Sequence, residues 1–277
     1  MKSKSNNGKW AVILCGGRGS RLGSITKETP KPLVKVHGKP IIWYSFLSLY
    51  KYGFRHFIFP LGYKGEVIRK YLLETFEGNM GCDIHCVDTG DDTPIAQRMA
   101  QVSDLIPDGE DFFLTNSDTI FDFDLDAMYG VHKAEKALVT LSSVEVVSTW
   151  GLIHLRDGKI VRFDRERKIR HLVTENDPTL QGRINSGLAY LSKSALQYVD
   201  LESCIDFESA LYSAIISAGR CSHFELRGCW FPIDTPKDLD VVNMKISDVN
   251  GIGDTARTVQ QDLAAIVQGR SVEKKYE

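Results

Sequence analysis

Residues Trp10–Cys15 read WAVILC and run directly into Gly16-Gly17-Arg18-Gly19-Ser20-Arg21-Leu22. An unbroken apolar run that ends in glycines is the pattern of a strand buried on both faces that opens into a tight loop. Glycines let backbone N–H groups approach phosphate oxygens with no Cβ in the way. The strand end and its loop, Leu14, Cys15, Gly16, Gly17, Gly19, Ser20 and Arg21, are therefore candidates to bind a polyphosphate. Thr29-Pro30-Lys31-Pro32-Leu33 follows closely. It presents a second cation, Lys31, between two prolines. The loop is neither of the two common phosphate loops. No Lys-Ser or Lys-Thr closes a Walker pattern. In a dinucleotide fingerprint the third glycine would stand where the chain has Leu22.

The pattern continues as alternating strand and helix. Arg55–Pro60, Ile84–Val87 and Asp111–Thr115 read as strands, and Pro40–Tyr52, Glu66–Phe76 and Gln97–Leu105 as helices. That alternation predicts a parallel sheet with helices on its faces. After Ala137 the character changes. Ala137–Val144, Trp150–Leu155, Lys159–Phe163 and Leu188–Leu191 read as strands with few helices between them, which predicts antiparallel additions to the sheet. Phe207–Ser217 and Thr235–Ile246 read as helices. The expected organisation is a frayed tail over residues 1–9, one domain over 10–247 and a helical extension over 248–277. In the extension Val259, Leu263, Ile266 and Val267 share a helical face, suited to packing on the body or on a sister subunit in a homo-oligomer.

Composition narrows the function. With 277 residues, 43% hydrophobic, the chain can bury a sizeable core. A net charge of −2 implies no bulk attraction to nucleic acid. No apolar stretch approaches the roughly 20 residues of a membrane helix. The six cysteines form no CxxC pair, so reduced thiols in a cytoplasmic protein are expected rather than a zinc site.

In an open α/β sheet, ligands sit beyond the carboxyl ends of the strands. Asp118, just after the fourth strand, is placed there. It reads as a turn residue or as a ligand of Mg²⁺, which takes one or two carboxylates together with phosphate oxygens and water. Asp234 is the natural second carboxylate. Its other reading is the N-cap of the helix that follows.

GGRGSRL with PKPLVKV resembles the N-terminal signature of the nucleotidyltransferases that make nucleoside-diphosphate sugars. Gly38-Lys39-Pro40-Ile41-Ile42, Gly62-Tyr63-Lys64-Gly65, Asn185-Ser186-Gly187 and Trp230–Thr235 resemble further family segments in the same order. Cys86-Val87-Asp88-Thr89-Gly90-Asp91 resembles the stretch found in glucose-1-phosphate cytidylyltransferases. The resemblance covers roughly Trp10 to Asn243. It implies a Rossmann-like α/β/α fold of the glycosyltransferase-A-like kind, with a mixed sheet and a small β-rich acceptor subregion. It implies Mg²⁺ held by Asp118 and Asp234, and substrates that are a nucleoside triphosphate and a sugar 1-phosphate. A sugar-phosphate oxygen attacks the α-phosphorus and pyrophosphate leaves. Arg21 holds the leaving oxygens, and Lys31 neutralises charge at the reacting phosphorus. Asp88, Thr89, Gly90, Gln97 and Arg98 fall on the nucleotide side, with CTP the first choice and UTP, dTTP or GTP open.

Three departures bear on that picture. The cytidylyltransferase stretch runs on to a Thr-Gly-Gly-Arg segment that lines the base, and the corresponding residues here are Ile95, Ala96, Gln97 and Arg98, of which the arginine alone matches. Ser117 stands where the family commonly has glycine before the first metal aspartate. The family's Glu-Lys-Pro acceptor motif is replaced by Phe163-Asp164-Arg165-Glu166-Arg167-Lys168. Arg165, Arg167 or Lys168 then takes the acceptor-phosphate role, with Asn185 and Gly187 on the sugar-contact strand. The departures leave open a non-sugar phosphate acceptor, or a nucleotide-binding regulatory module that has lost turnover.

Overall fold

The computed structural model describes residues 8–77, 80–147, 152–164, 168–169, 172–174 and 177–247. The central strands are β1 (Lys9–Leu14), β2 (Phe54–Leu61), β3 (Asp83–Asp88) and β4 (Asp111–Asn116). They lie parallel in the order β4-β1-β2-β3, as the alternating pattern predicts. The sheet is extended beyond β4 by β9 (Ile184–Ser192), antiparallel to its neighbours, then β6 (Val139–Val144) and β10 (Cys221–Glu225). The result is a seven-stranded mixed sheet.

Period-two alternation sends side chains of each central strand to two separate cores. Ala11, Ile13, Phe57, Phe59 and Phe113 face one core. Val12, Ile58, Phe112 and Leu114 face the other. Helix α1 (Ile41–Tyr50) is buried along all ten of its residues. A helix apolar all round must be covered on every side. Here the main sheet covers part of it, and a separate antiparallel ribbon covers another. That ribbon pairs β5 (Thr119–Phe123) with β11 (Gly228–Pro232). Two serines inside α1 pin the ribbon: Ser45 Oγ donates to the Thr119 carbonyl at 2.8 Å and Ser48 Oγ to that of Phe121 at 2.5 Å.

Helices α2 (Gly65–Thr75) and α3 (Ile95–Val102) cross between parallel strands. Helix α4 (Leu125–Ala134) follows the ribbon strand, and α5 (Phe207–Ser217) packs into the second core. The β-rich character expected after Ala137 includes, beyond β6, the hairpin β7 (Leu152–Arg156) with β8 (Lys159–Asp164), and a second hairpin joining 172–174 to 177–182. Helix α6 (Pro236–Ser247) ends the described chain. The expected tail over residues 1–9 is corrected at its end, where Lys9 already belongs to β1; residues 1–7 and the extension over 248–277 lie outside the described residues. All six cysteines are free. Among the described residues no helix is long and apolar enough to cross a membrane.

Candidate active site

The site forms where the carboxyl ends of β1 and β4 meet the end of the ribbon. The Ser117 N–H donates to the Leu14 carbonyl at 3.1 Å, which carries the parallel β1–β4 ladder one rung past Asn116. Ser117 is buried and is not among the residues with positive φ. Serine therefore fits where the family commonly has glycine. On the ribbon, Thr119 pairs with Pro232, and the Ile233 N–H donates to the Asp118 carbonyl at 2.9 Å. This rung sets Asp118 and Asp234 side by side.

Their carboxylates converge on one ammonium. Lys31 Nζ donates to Asp118 Oδ2 at 2.7 Å and to Asp234 Oδ1 at 2.8 Å. Arg21 Nη1 donates to Asp234 Oδ2 at 3.0 Å. The Lys31 side chain is only 9% exposed, whereas Arg21 is 71% exposed. A 3-10 turn over Lys31–Leu33, entered from Pro30, carries the lysine. The turn lays its stem against Gly19, where a Cβ would stand 2.9 Å from Lys31 Cβ. Asp234 is not the helix cap. Asp238 Oδ2 accepts from the N–H groups of Asp234 and Thr235 instead, which leaves the Asp234 carboxylate to the cleft.

Among the described residues no cluster of three or more His, Cys, Asp or Glu side chains could hold a metal. The donor set is two carboxylates already gathered around one cation. That suits Mg²⁺, which completes its shell with phosphate oxygens and water.

The glycine loop rests on Arg98. Arg98 is 4% exposed as a residue, and its guanidinium spends all five of its N–H donors on the protein. Nε donates to the Thr93 carbonyl, Nη1 to the Leu61 carbonyl and Thr89 Oγ1, and Nη2 to the carbonyls of Gly16 and Asp91. It thus ties together the loops that follow β1, β2 and β3. Burial lowers its pKa, with nearby aspartates opposing. The expectation that Arg98 binds nucleotide directly is corrected: it positions the loop and has no N–H left for a ligand. Thr89 is corrected in the same way, since its hydroxyl turns inward onto the Leu61 carbonyl.

The other nucleotide-side candidates divide. Asp88 Oδ1 accepts from the Gly90 N–H, and Gly90 takes φ 88° to close that turn. Gln97 Nε2 donates to the Glu202 carbonyl, an anchor for α3. Cys15 is buried, its thiol directed to the Ile13 carbonyl, and burial pushes its pKa far up. Its side chain is core, although its backbone leads the loop. Leu14 closes β1 beside Asn116, and Gly17 and Ser20 are exposed on the rim. Arg18 is latched across the cleft to Asp92 by two hydrogen bonds of 2.9 Å, which hold the Asp92 carboxyl below its ordinary range.

On the acceptor side, Gly187 takes φ 75° within an irregularity of β9 where its pairing with β6 shifts register. Asn185 Oδ1 accepts from the Gly187 N–H at 3.1 Å. Trp230 Nε1 holds the Ser186 carbonyl at 2.9 Å, joining this bulge to the ribbon. Lys168 lies on a short strand opposite Val147. Arg165 and Arg167 lie outside the described residues.

Residues 10–249 match the Nucleotidyl transferase family. The chain belongs to that family. It is 32% identical over 251 residues to the "Probable glucose-1-phosphate cytidylyltransferase" of Bacillus subtilis, covering 84% of this chain and 94% of that protein. It is 30% identical over 247 residues to the glucose-1-phosphate cytidylyltransferase of Salmonella typhimurium, covering 82% and 92%. It is also 30% identical over 234 residues to the mannose-1-phosphate guanylyltransferase catalytic subunit beta of Xenopus tropicalis, covering 83% of this chain and 62% of that one. A solved structure from Bacillus anthracis, assigned as a glucose-1-phosphate thymidylyltransferase, superposes with a TM-score of 0.64. Its identity is 20%, with 87% of this chain and 96% of that one covered, and it attests the fold.

For a nucleotidyl transferase, the arrangement has the parts that positioning and charge stabilisation require. Two residues escaped the sequence reading. Asn116, at the end of β4, has its amide nitrogen 3.5 Å from where a Cβ on Gly187 would stand, facing the acceptor bulge. Asp238 makes the capping contacts that keep Asp234 available. The spacing Thr235-Pro236-Lys237-Asp238 was a legible sign of it.

Proposed function

We propose that this chain is a Mg²⁺-dependent nucleotidyltransferase that joins CTP and a sugar 1-phosphate, glucose 1-phosphate first, to give an NDP-sugar and pyrophosphate. The observation that carries the reading is the convergence of Asp118, Asp234, Lys31 and Arg21 beside the glycine loop. The cytidylyltransferase relatives, matched along nearly their full length, support the choice of CTP. An oxygen of the sugar phosphate forms a bond to the α-phosphorus. The bond from that phosphorus to the bridging oxygen breaks, and its electron pair leaves with pyrophosphate. Arg21, exposed at the loop rim, neutralises the leaving oxygens. Lys31 neutralises the reacting phosphates from beneath. Asp118 and Asp234 would hold Mg²⁺, which when bound supplies charge to bring two anionic phosphates together. Backbone N–H groups of the loop, kept in place by Arg98, orient the triphosphate.

The guanylyltransferase relative favours a second reading, GTP with mannose 1-phosphate. Pyrophosphate release with Mg²⁺ decides between them, measured for CTP, GTP, UTP, ATP and dTTP against a panel of sugar 1-phosphates. Release that needs CTP and glucose 1-phosphate is expected. Release confined to GTP and mannose 1-phosphate would select the second reading, and no release with any pair would overturn both.

A further inference from the structure

The Lys31 ammonium takes one oxygen of each carboxylate, Asp118 Oδ2 and Asp234 Oδ1, while Asp118 Oδ1 accepts from the Thr119 hydroxyl and Asp234 Oδ2 from Arg21 Nη1. Two carboxylates so close repel each other unless a cation stands between them. The lysine supplies that cation from a nearly buried position, with its stem fixed against Gly19. A Mg²⁺ ion held by this pair would draw on the same carboxylate charge and lone pairs that Nζ now takes. With every oxygen of the pair already engaged, a cation entering there competes with the ammonium. A lysine ammonium rides on a flexible four-carbon stem, and its head can turn away while the stem stays in place.

We propose that Lys31 and the divalent cation are alternative occupants of the Asp118–Asp234 pair, and that Lys31 becomes available to phosphate only when the cation has displaced it. This rests on the reading of the site as a Mg²⁺-dependent nucleotidyltransferase and adds an order of events to it. Before loading, Lys31 keeps the carboxylates paired and shields them from stray cations. After loading, the ammonium is released within reach of the incoming phosphates. Nucleotide-free protein is then a weak binder of divalent cations, and the lysine is the cause.

The test is a Mn²⁺ titration of the nucleotide-free protein, with free Mn²⁺ read by electron paramagnetic resonance. Wild type is compared with Lys31→Met, Arg21→Met and Asp118→Asn. Lys31→Met is expected to bind Mn²⁺ at least about tenfold more tightly than wild type while losing turnover, because one full charge leaves the contact shell. Arg21→Met, which removes an exposed and screened charge, is expected to change affinity less. Asp118→Asn is expected to bind more weakly than wild type. A second readout is acetylation of Lys31 by acetic anhydride, followed by peptide mass spectrometry. Its rate is expected to rise when Mn²⁺ saturates the wild type. Affinity in Lys31→Met equal to or below that of wild type, in protein with an unchanged circular dichroism spectrum, overturns the proposal. So does Lys31 that stays protected at saturating Mn²⁺. In either case metal-dependent pyrophosphate release by the wild type would leave the nucleotidyltransferase reading standing. Absence of release beside the expected Mn²⁺ pattern would overturn that reading alone.

Discussion

The carbonyl of Asp118 accepts a hydrogen bond from the N–H of Ile233 at 2.9 Å, and this rung fixes how far apart the two site carboxylates stand. Asp118 precedes one strand of the ribbon and Asp234 follows the other. The ribbon is held by α1 through Ser45 and Ser48, so the carboxylate spacing depends on a buried helix well outside the chemistry. Removing a carboxylate should therefore disable the site without loosening its frame. Asp118→Asn and Asp234→Asn are each expected to lower pyrophosphate release by about 10²–10³-fold, the scale of losing one preorganised charge. The melting temperature of either variant should stay close to that of wild type. Release retained within a few-fold in both would remove these residues from the reaction.

Arg98 supports the loop from below, and its loss should be felt in binding and in stability together. Arg98→Met takes the guanidinium donors from four carbonyls and the Thr89 hydroxyl, and among the described residues only the Leu61 and Gly16 carbonyls keep other N–H or O–H donors. A cost of about 3 kcal/mol in denaturant unfolding is expected for breaking a buried, charge-assisted network. Nucleotide KM should rise because the glycine loop loses its support. Arg98→Lys should recover only part of either effect, since one ammonium cannot serve five acceptors in a planar fork. A variant with wild-type stability and KM would show that the loop keeps its shape unaided.

The same contact distinguishes two adjacent glycines. A Cβ on Gly16 would stand 2.1 Å from Arg98 Cζ, with the guanidinium held on every side, whereas a Cβ on Gly17 meets nothing within 4 Å. Gly16→Ala is expected to destabilise by about 2 kcal/mol or more through forced displacement of the guanidinium. Gly17→Ala is expected to stay within about 0.5 kcal/mol of wild type. Thermal melts of the pair check this, and equal losses at the two positions would place the Arg98 head elsewhere.

The sequence announced β1, β2 and β4 because strands buried on both faces read as largely apolar runs, whereas β3 is only half-buried. It announced α5 at its observed ends, where Asp206 caps by accepting from the Ser209 N–H. The ribbon went unread. Its strands are five residues each, and their partner lies far along the chain, so no local period marks the pairing. Helix α4 went unread although its cap, Asp124 accepting from the Ala127 N–H, was a usable sign; Gly130 in its middle weakens the helical pattern. Within the site, residue type and position together with the family resemblance point to Arg21, Lys31, Asp118 and Asp234, and they meet. Arg98 and Thr89 were named for the ligand and turn inward instead. A motif tells which loop a side chain stands on, and packing around Gly16 and Gly62 decides which way it points.

At the opposite end of β4, Asp111 sets an acid-dependent part of the stability. Its side chain is 7% exposed. Burial opposes its ionisation. His132, the Ser192 hydroxyl at 2.6 Å and Lys133 at 2.9 Å outweigh that and hold its carboxyl well below the usual carboxylate range. A folded pKa below the unfolded one means the native state binds fewer protons. The contribution is complete above the unfolded carboxylate value of about 3.9 and is lost as pH falls through the folded one. Asp111→Asn should thus cost about 2 kcal/mol near pH 7, the scale of a hydrogen-bonded buried charge. The difference from wild type should narrow as the pH is lowered below about 4. Urea unfolding of both proteins from pH 7 to pH 3 measures it. A gap that stays constant over that range would show that Asp111 acts by shape alone, with its charge contributing nothing.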